Sequence, residues 1–433
     1  MNRHTQILDY LDYEFTSAVR DSLWGHIYVS PGLEQVCALR EFRQLAKIKQ
    51  LGPTHIVYPG AVHSRLSHSL GVFFLARRLI RRLIGFPNAP SLSLEGVKAY
   101  LCAALLHDLG HFPFTHSLKE LPLLEHEQLT ARIIRQGELA YLLREAVGVD
   151  PEMVAAIVDE NAPDQGSDEL RLYRRLLSGT LDPDKLDYLN RDAYYCGVPY
   201  GVQDIDFVLD RVRPNGYSGI ALERDGISAV ENILFSKYLM YRAVYWHKSV
   251  RAATAMIKKA LHSALSDGAV TPDDLYGLDD ESFTAQFTSA RHPAFDLIEL
   301  VDRGHTFKVA LELPYSEPNS PDFAHLLDLE TRGKLEERCS SFLSGATGRP
   351  QHSCSLIIDL PEAVNFEVAF PISDRGVIRD YLDAGTVFTP AVVEAFTANL
   401  RLVRVFVDPQ LQTELRAEDL HQLQQMIKDS GAD

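Results

Sequence analysis

The stretch LLHDLGHFPF, residues 105–114, closes an apolar run that begins AYLCAA, and it ends by setting His107 beside Asp108. The apolar run predicts a buried helix. Burying a carboxylate beside an imidazole costs on the order of several kcal/mol unless something pairs with both. Adjacent helical residues project about 100° apart, so the two side chains can converge on one point beside the helix. Imidazole nitrogen and carboxylate oxygen together are natural ligands for a divalent cation.

Two ligands are too few for such an ion. Upstream, HSRLSHSLG offers His63 and His68 at the start of another helix. Downstream, DPDKLDYLNRD puts Asp184 at a helix start, with Tyr188 and Asp192 on the same face. A histidine, a His-Asp doublet and a distant aspartate, each on a separate helix, can close a single site. A lone His-Asp pair reads as a hydrogen-bonded structural pair; the ordered set reads as a metal centre.

The rest of the chain supports a globular enzyme. With 433 residues, 46% of them apolar and 24% charged, it can bury a full core in two or three domains. A net charge of −16 argues against general nucleic-acid binding, which needs clustered Lys and Arg. The five cysteines are scattered and show no C-x-x-C spacing, which fits free thiols in a reducing cytosol. The start MNRHTQILDYLDYEF is too polar for a signal peptide, and no apolar run approaches the roughly 18 residues of a membrane span. A cytoplasmic location without membrane attachment is expected.

Residues 1–265 read mainly as amphipathic helices, including one long run from Ala229 to Leu265 and a small hairpin, GYSGIALERDGISAV, with Arg224-Asp225-Gly226 near its turn. After about residue 265 strand-like runs follow: FKVALEL, SCSLIIDL, FEVAFPI and RLVRVFVD, with LPYSEPNSPDF as a loop and AEDLHQLQQMIKD as a closing helix. The fold class expected is mainly α, with an all-helical core over 1–265 and a smaller mixed α/β region over 266–433 that packs on it.

The ordered motifs SLWGHIYV, IKQLG, VYPGAVHSRLSHSLGV, ALLHDLGHFPFTHS, EHEQ and LDPDKLDYLNRD resemble the HD-domain phosphohydrolases, and more closely the SAM-and-HD-domain deoxynucleoside triphosphate triphosphohydrolases. The resemblance spans roughly residues 20–255. It implies one divalent metal ion (Mn, Fe, Mg, Zn or Ni) held by His68, His107, Asp108 and Asp184, which withdraws charge from a phosphoryl oxygen. It places His111 and His126 against the reacting phosphate as catalytic groups and His116 on the phosphate chain. Arg65 and Lys185 would neutralise the triphosphate; without the motif each is an ordinary surface cation. Gln50 and Leu51 would lie near sugar and base, and Tyr188, Asp192 and Tyr245 would shape the deoxyribose pocket, although core packing explains the tyrosines equally well. His63 reads as a supporting or packing residue.

One position departs from the family pattern. Three residues after His116, where an acidic residue often supports the catalytic histidine, THSLKEL has Lys119. A lysine on a helix surface is expected to face solvent, leaving Glu120, Glu125 or Glu127 to orient His126. The Arg77, Arg78, Arg81, Arg82 stripe reads as a solvated helix face, with an effector-nucleotide site or subunit contact as the alternative. The implied reaction converts a dNTP to deoxynucleoside and triphosphate. The competing readings are an HD phosphohydrolase for nucleoside monophosphates or cyclic nucleotides, and a catalytically weak nucleotide sensor. Homo-oligomers, dimer or tetramer, are expected from the resemblance and from strand edges in FKVALEL and RLVRVFVD.

Overall fold

A computed structural model describes residues 3–429 except 165, 316–320, 349–353, 365 and 367–369. Its centre is the helix Leu94–Leu106, in which every residue from Ala99 to Leu106 is buried. Such a helix has no solvent face, so neighbours must surround it. The helices Arg65–Ile84, Pro151–Val158 and Asp168–Leu177 pack against it, and Pro183–Cys196 packs on Arg65–Ile84.

Its first turn explains an odd sequence feature. The helix opens Ser-x-x-Gly, without the glutamate of a capping box. Ser93 Oγ accepts from Gly96 N at 2.9 Å, and the missing acid comes from elsewhere: Glu169 Oε1 accepts from Ser93 N at 2.7 Å. A Cβ on Gly96 would lie 2.4 Å from that Glu169 oxygen, so glycine makes room for the borrowed cap. At the other end, Gly110 lets the HDLG turn sit on the start of helix His126–Ile134. A Cβ there would lie 2.2 Å from His126 O, while Gly110 N donates to Thr130 Oγ1 at 2.8 Å.

The helical reading holds for most of the first 265 residues, with two small hairpins. Ser17–Asp21 pairs with Gly25–Val29, a hairpin that the sequence reading missed. The second lies earlier than expected: Val212–Pro214 pairs with Ile220–Glu223, and Arg224–Gly226 forms a helical turn leading into Ile227–Met240. The run expected as one long helix breaks at 241–247. Trp246 N bonds back to Tyr241 O at 2.8 Å, widening the last turn, and His247 caps a new helix, Lys248–Ser266.

In the carboxy-terminal third, Lys308–Pro314, Leu402–Val407 and Leu356–Asp359 form an antiparallel sheet in that order. The RLVRVFVD run is therefore the central strand and offers no free edge, contrary to expectation, because both its neighbours pair with it. Residues 367–369 of FEVAFPI and 316–320 of LPYSEPNSPDF lie outside the described residues. Pro371–Asp374 joins a different sheet, running parallel to Ile220–Glu223 with Leu222 opposite Ile372. The helices Leu329–Thr347 and Pro390–Leu400 were not anticipated, whereas Ala417–Asp429 matches the expected closing helix. The division into units at 265/266 stays a proposal; it falls in the last turn of Lys248–Ser266. Among the described residues, no helix is long and apolar enough to cross a membrane.

Two helical glycines should respond oppositely to alanine. At Gly71 a Cβ would lie 1.9 Å from Asp187 Oδ1, whereas at Gly333 nothing lies within 4 Å. Gly71→Ala should destabilise the fold by about 2 kcal/mol or more, and Gly333→Ala should stabilise it by about 0.5–1 kcal/mol. Denaturant unfolding measures both.

Candidate active site

His68 is the best-supported side chain of the site. It is buried on helix Arg65–Ile84, with Nδ1 2.8 Å from Asp187 Oδ2 and Nε2 2.9 Å from Asp184 Oδ1. Asp187 is held in turn by Arg191, whose Nε and Nη2 reach its two oxygens at 2.8 and 2.9 Å, and by Trp24 Nε1 at 2.5 Å. Arg191 Nη1 continues the chain to Asp21 Oδ2 at 2.9 Å, at the tip of the first hairpin. A carboxylate behind a ligand histidine fixes the ring and strengthens its outward nitrogen as a donor. Asp187, Arg191, Asp21 and Trp24 were all missed from sequence. The only available signal was that Asp187 lies one helical turn beyond Asp184.

The donor atoms of His68, His107 and Asp184 lie within 4.8 Å of one another. His107 Nδ1 is fixed on Ala104 O at 3.0 Å, while its buried Nε2 has no hydrogen-bond partner among the described residues. These residues fit a divalent cation: two imidazole nitrogens and a carboxylate converge, one nitrogen orphaned. Asp108 adjoins them, with Oδ1 3.3 Å from His107 Nε2, but it also serves the neighbouring group: Oδ1 lies 3.1 Å from His111 Nε2 and Oδ2 accepts from Arg65 at 2.9 Å. Its membership of the ligand set is thus a proposal.

Charge balance separates the histidines. Burial works against a proton on His68, but hydrogen bonds to Asp184 and Asp187 bring its pKa up to about 10. Burial lowers His111, His116 and His126 well below the usual imidazole value; Arg65 lowers all three further, and Lys119 adds to the effect at His116 and His126. These three rings pack together, His111 4.0 Å from His126 and 4.7 Å from His116, centroid to centroid. Neutral at pH 7, they can accept a proton or hydrogen-bond an anion without already carrying charge.

A cavity of about 410 Å³ opens onto this cluster. Its walls include His68, His107, Asp108 and Asp184 with Arg65, His116 and His126, then Gln50 and Leu51, then Tyr188, Asp192 and Tyr245. Asp192 is clamped between His63 Nε2 at 2.8 Å and Tyr245 Oη at 2.7 Å, so His63 supports the tyrosine wall. Gln50 Oε1 is buried without a partner among the described residues. His111 lies behind His116 and His126 and does not line the cavity. Nor does Lys185, whose ammonium bonds Asp182 Oδ2 at 2.7 Å and Gly179 O at 2.8 Å.

Lys119 is exposed, as expected for a lysine, and it also lines the cavity, because it follows the short turn Thr115–Leu118 that carries His116. Glu120 cannot orient His126, since it is bonded to Lys258 and Arg332. Glu127 Oε2 lies 3.1 Å from His126 Nδ1, outside hydrogen-bond geometry. The arginine stripe is structural. Arg77 bonds Leu11 O and covers Phe15, Arg78 pairs with Asp206, Arg81 with Asp12, and Arg82 bonds Asp210 O.

The HD domain family model matches residues 65–180, and the model for the HD associated region matches residues 213–380. Over 372 residues the chain is 30% identical to the uncharacterized protein MJ1154 of Methanocaldococcus jannaschii, covering 83% of this chain and 73% of that protein. It is 39% identical over 226 residues to the uncharacterized protein YwfO of Bacillus subtilis, covering 52% of this chain and only half (50%) of YwfO. A more distant relative is the deoxynucleoside triphosphate triphosphohydrolase SAMHD1 of Gallus gallus, 27% identical over 274 residues, 56% of this chain and 45% of that protein. The chain belongs to the HD-domain phosphohydrolases, a metal-dependent class of hydrolases.

Metal titrations should report the ligand set directly. Replacing His107 and Asp108 together with Ala should abolish binding, while Asp187→Asn should weaken it by roughly 10- to 100-fold. Because a cation displaces the proton that His68 holds up to about pH 10, wild-type affinity should rise about tenfold per pH unit from near neutrality toward that value.

Proposed function

We propose that this protein is a dNTP triphosphohydrolase, converting a dNTP to deoxynucleoside and inorganic triphosphate. The observation that carries this reading is the single cavity shared by the His68, His107 and Asp184 donors, the His116 and His126 imidazoles, and the Tyr188, Asp192 and Tyr245 wall. The distant relationship to SAMHD1 supports it. A divalent ion at the His68, His107, Asp108 and Asp184 site would supply positive charge to the phosphoryl group under attack.

The chain's own groups do the rest. Arg65 stands at the phosphate end with its charge partly taken up by Asp108. His126, with His111 behind it, gives a proton to the departing 5′-oxygen as water adds to the α-phosphorus, and the proton lost by that water restores the ring; substrate phosphates offset the burial and cationic neighbours that otherwise keep it neutral. Asp192, clamped by His63 and Tyr245, keeps one side of the sugar pocket rigid and can accept from a 3′-hydroxyl. Tyr188 and Tyr245, with ring centroids 6.4 Å apart on the cavity wall, would be the groups that a 2′-hydroxyl meets. Gln50 Oε1 and Leu51 meet the base. Assembly into a dimer or tetramer belongs to the same reading, as does a nucleotide effector. Exposed Val377, Ile378, Leu382 and Val387 offer apolar surface for subunit contact, and light scattering tests the assembly.

Incubation of metal-loaded protein with each dNTP, alone and mixed, should release triphosphate, at least about tenfold faster than from the matching NTP. Equal rates on dGTP and GTP would remove the sugar pocket. Inert dNTPs with orthophosphate released from a nucleoside monophosphate, or a ring-opened monophosphate formed from a cyclic nucleotide, would instead identify the other class of HD phosphohydrolase, and binding without turnover a sensor.

A further inference from the structure

The cations lining the cavity are matched with carboxylates, with one exception among the described residues. Lys49 pairs with Asp280 at 2.8 Å, Arg65 with Asp108 at 2.9 Å, Arg251 with Asp359, and Lys258 with Glu120. Lys119 lines the same cavity, yet no carboxylate among the described residues forms an ion pair with its ammonium. Its charge acts on His116 and His126 and on the Glu127 and Glu362 carboxylates. It is also exposed, so water solvates it until an anion arrives.

Meanwhile Lys185, the residue that the family resemblance gives to phosphate, is held by Asp182 and the carbonyl of Gly179 and does not line the cavity. Arg65 shares its charge with Asp108. Beyond the divalent ion, the cation that a triphosphate would meet near the histidines without a carboxylate already paired to it among the described residues is Lys119. An ammonium on a flexible stem is suited to this, as a compact charge that can follow a non-bridging oxygen.

We propose that Lys119 is a phosphate-binding residue of this cavity and takes the outer phosphates of the substrate, the part the resemblance assigns to Lys185. This rests on the nucleoside-triphosphate reading of the cavity. The acidic-to-lysine departure then changes how the phosphate chain is held. It does not mark an inactive sensor.

The test uses the metal-loaded full chain as wild type, K119A, K119R and K119E, each checked for native helicity by circular dichroism. Inorganic triphosphate binding is measured by calorimetry, and triphosphate release from the best dNTP by steady-state kinetics. K119A should weaken triphosphate binding and raise KM by about tenfold, with kcat changing less than about threefold. K119R should restore most of the loss, K119E should exceed it, and deoxynucleoside binding should stay the same in all. Unchanged triphosphate affinity and KM in K119A would overturn the assignment. So would a change confined to kcat and its pH profile, which would make Lys119 a positioning residue for His126. If the wild type releases no triphosphate, the functional reading fails, and the binding comparison alone decides Lys119. If it does not bind triphosphate either, both fail.

Discussion

The buried ion pair between Arg191 and Asp187 is the constraint on which the site depends. Both side chains are fully buried, so neither charge can be left alone: breaking such a pair from one side costs about 3–5 kcal/mol. The carboxylate's remaining capacity goes to His68 and Trp24, and the guanidinium's to Asp21. Burial would raise the Asp187 carboxyl, but Arg191 and then His68 hold it at about 2. One aspartate on helix Pro183–Cys196 thereby fixes the ring of a histidine on helix Arg65–Ile84 and ties both helices to the first hairpin. Gly71 follows as a consequence, since any side chain there would strike the pair.

The same logic separates His68 from the other histidines of the site. His68 faces two carboxylates and is strongly basic, as suits a ligand. His111, His116 and His126 face one another, Arg65 and, for the last two, Lys119, with Asp108 the nearby acid, and they are kept neutral. Two kinds of histidine thus meet at this site: His68, held between carboxylates, and His111 and His126, equally buried but set among imidazoles and cations. A polyanionic substrate would change the balance for the second kind only.

The cavity is not the work of the HD segment alone. Tyr241–Tyr245 widens its last turn and brings Tyr245 to Asp192, and Lys248–Ser266 contributes Arg251 and Lys258. Glu120 beside Lys119 is bonded to Lys258 and to Arg332 of helix Leu329–Thr347, so the loop bearing His116 is anchored to the carboxy-terminal third. Leu360 and Glu362, following strand Leu356–Asp359, line the cavity as well. The region matched by the HD associated model is therefore part of the candidate site.

What sequence alone determined were features with local cause. Helix periodicity, the apolar run before His107, and the spacing of His68, His107-Asp108 and Asp184 are short-range patterns, and the ordered motifs carried the family. Only tertiary structure decided which charges meet. That Asp187 stands behind His68, that Glu169 caps a helix 76 residues away, that Lys119 lines the cavity while Lys185 binds Asp182, and that RLVRVFVD is a central strand all depend on partners distant in the chain. Electrostatic and strand pairing are chosen by proximity in space, and a side chain's type and neighbours in sequence do not encode which counter-charge the fold will bring to it.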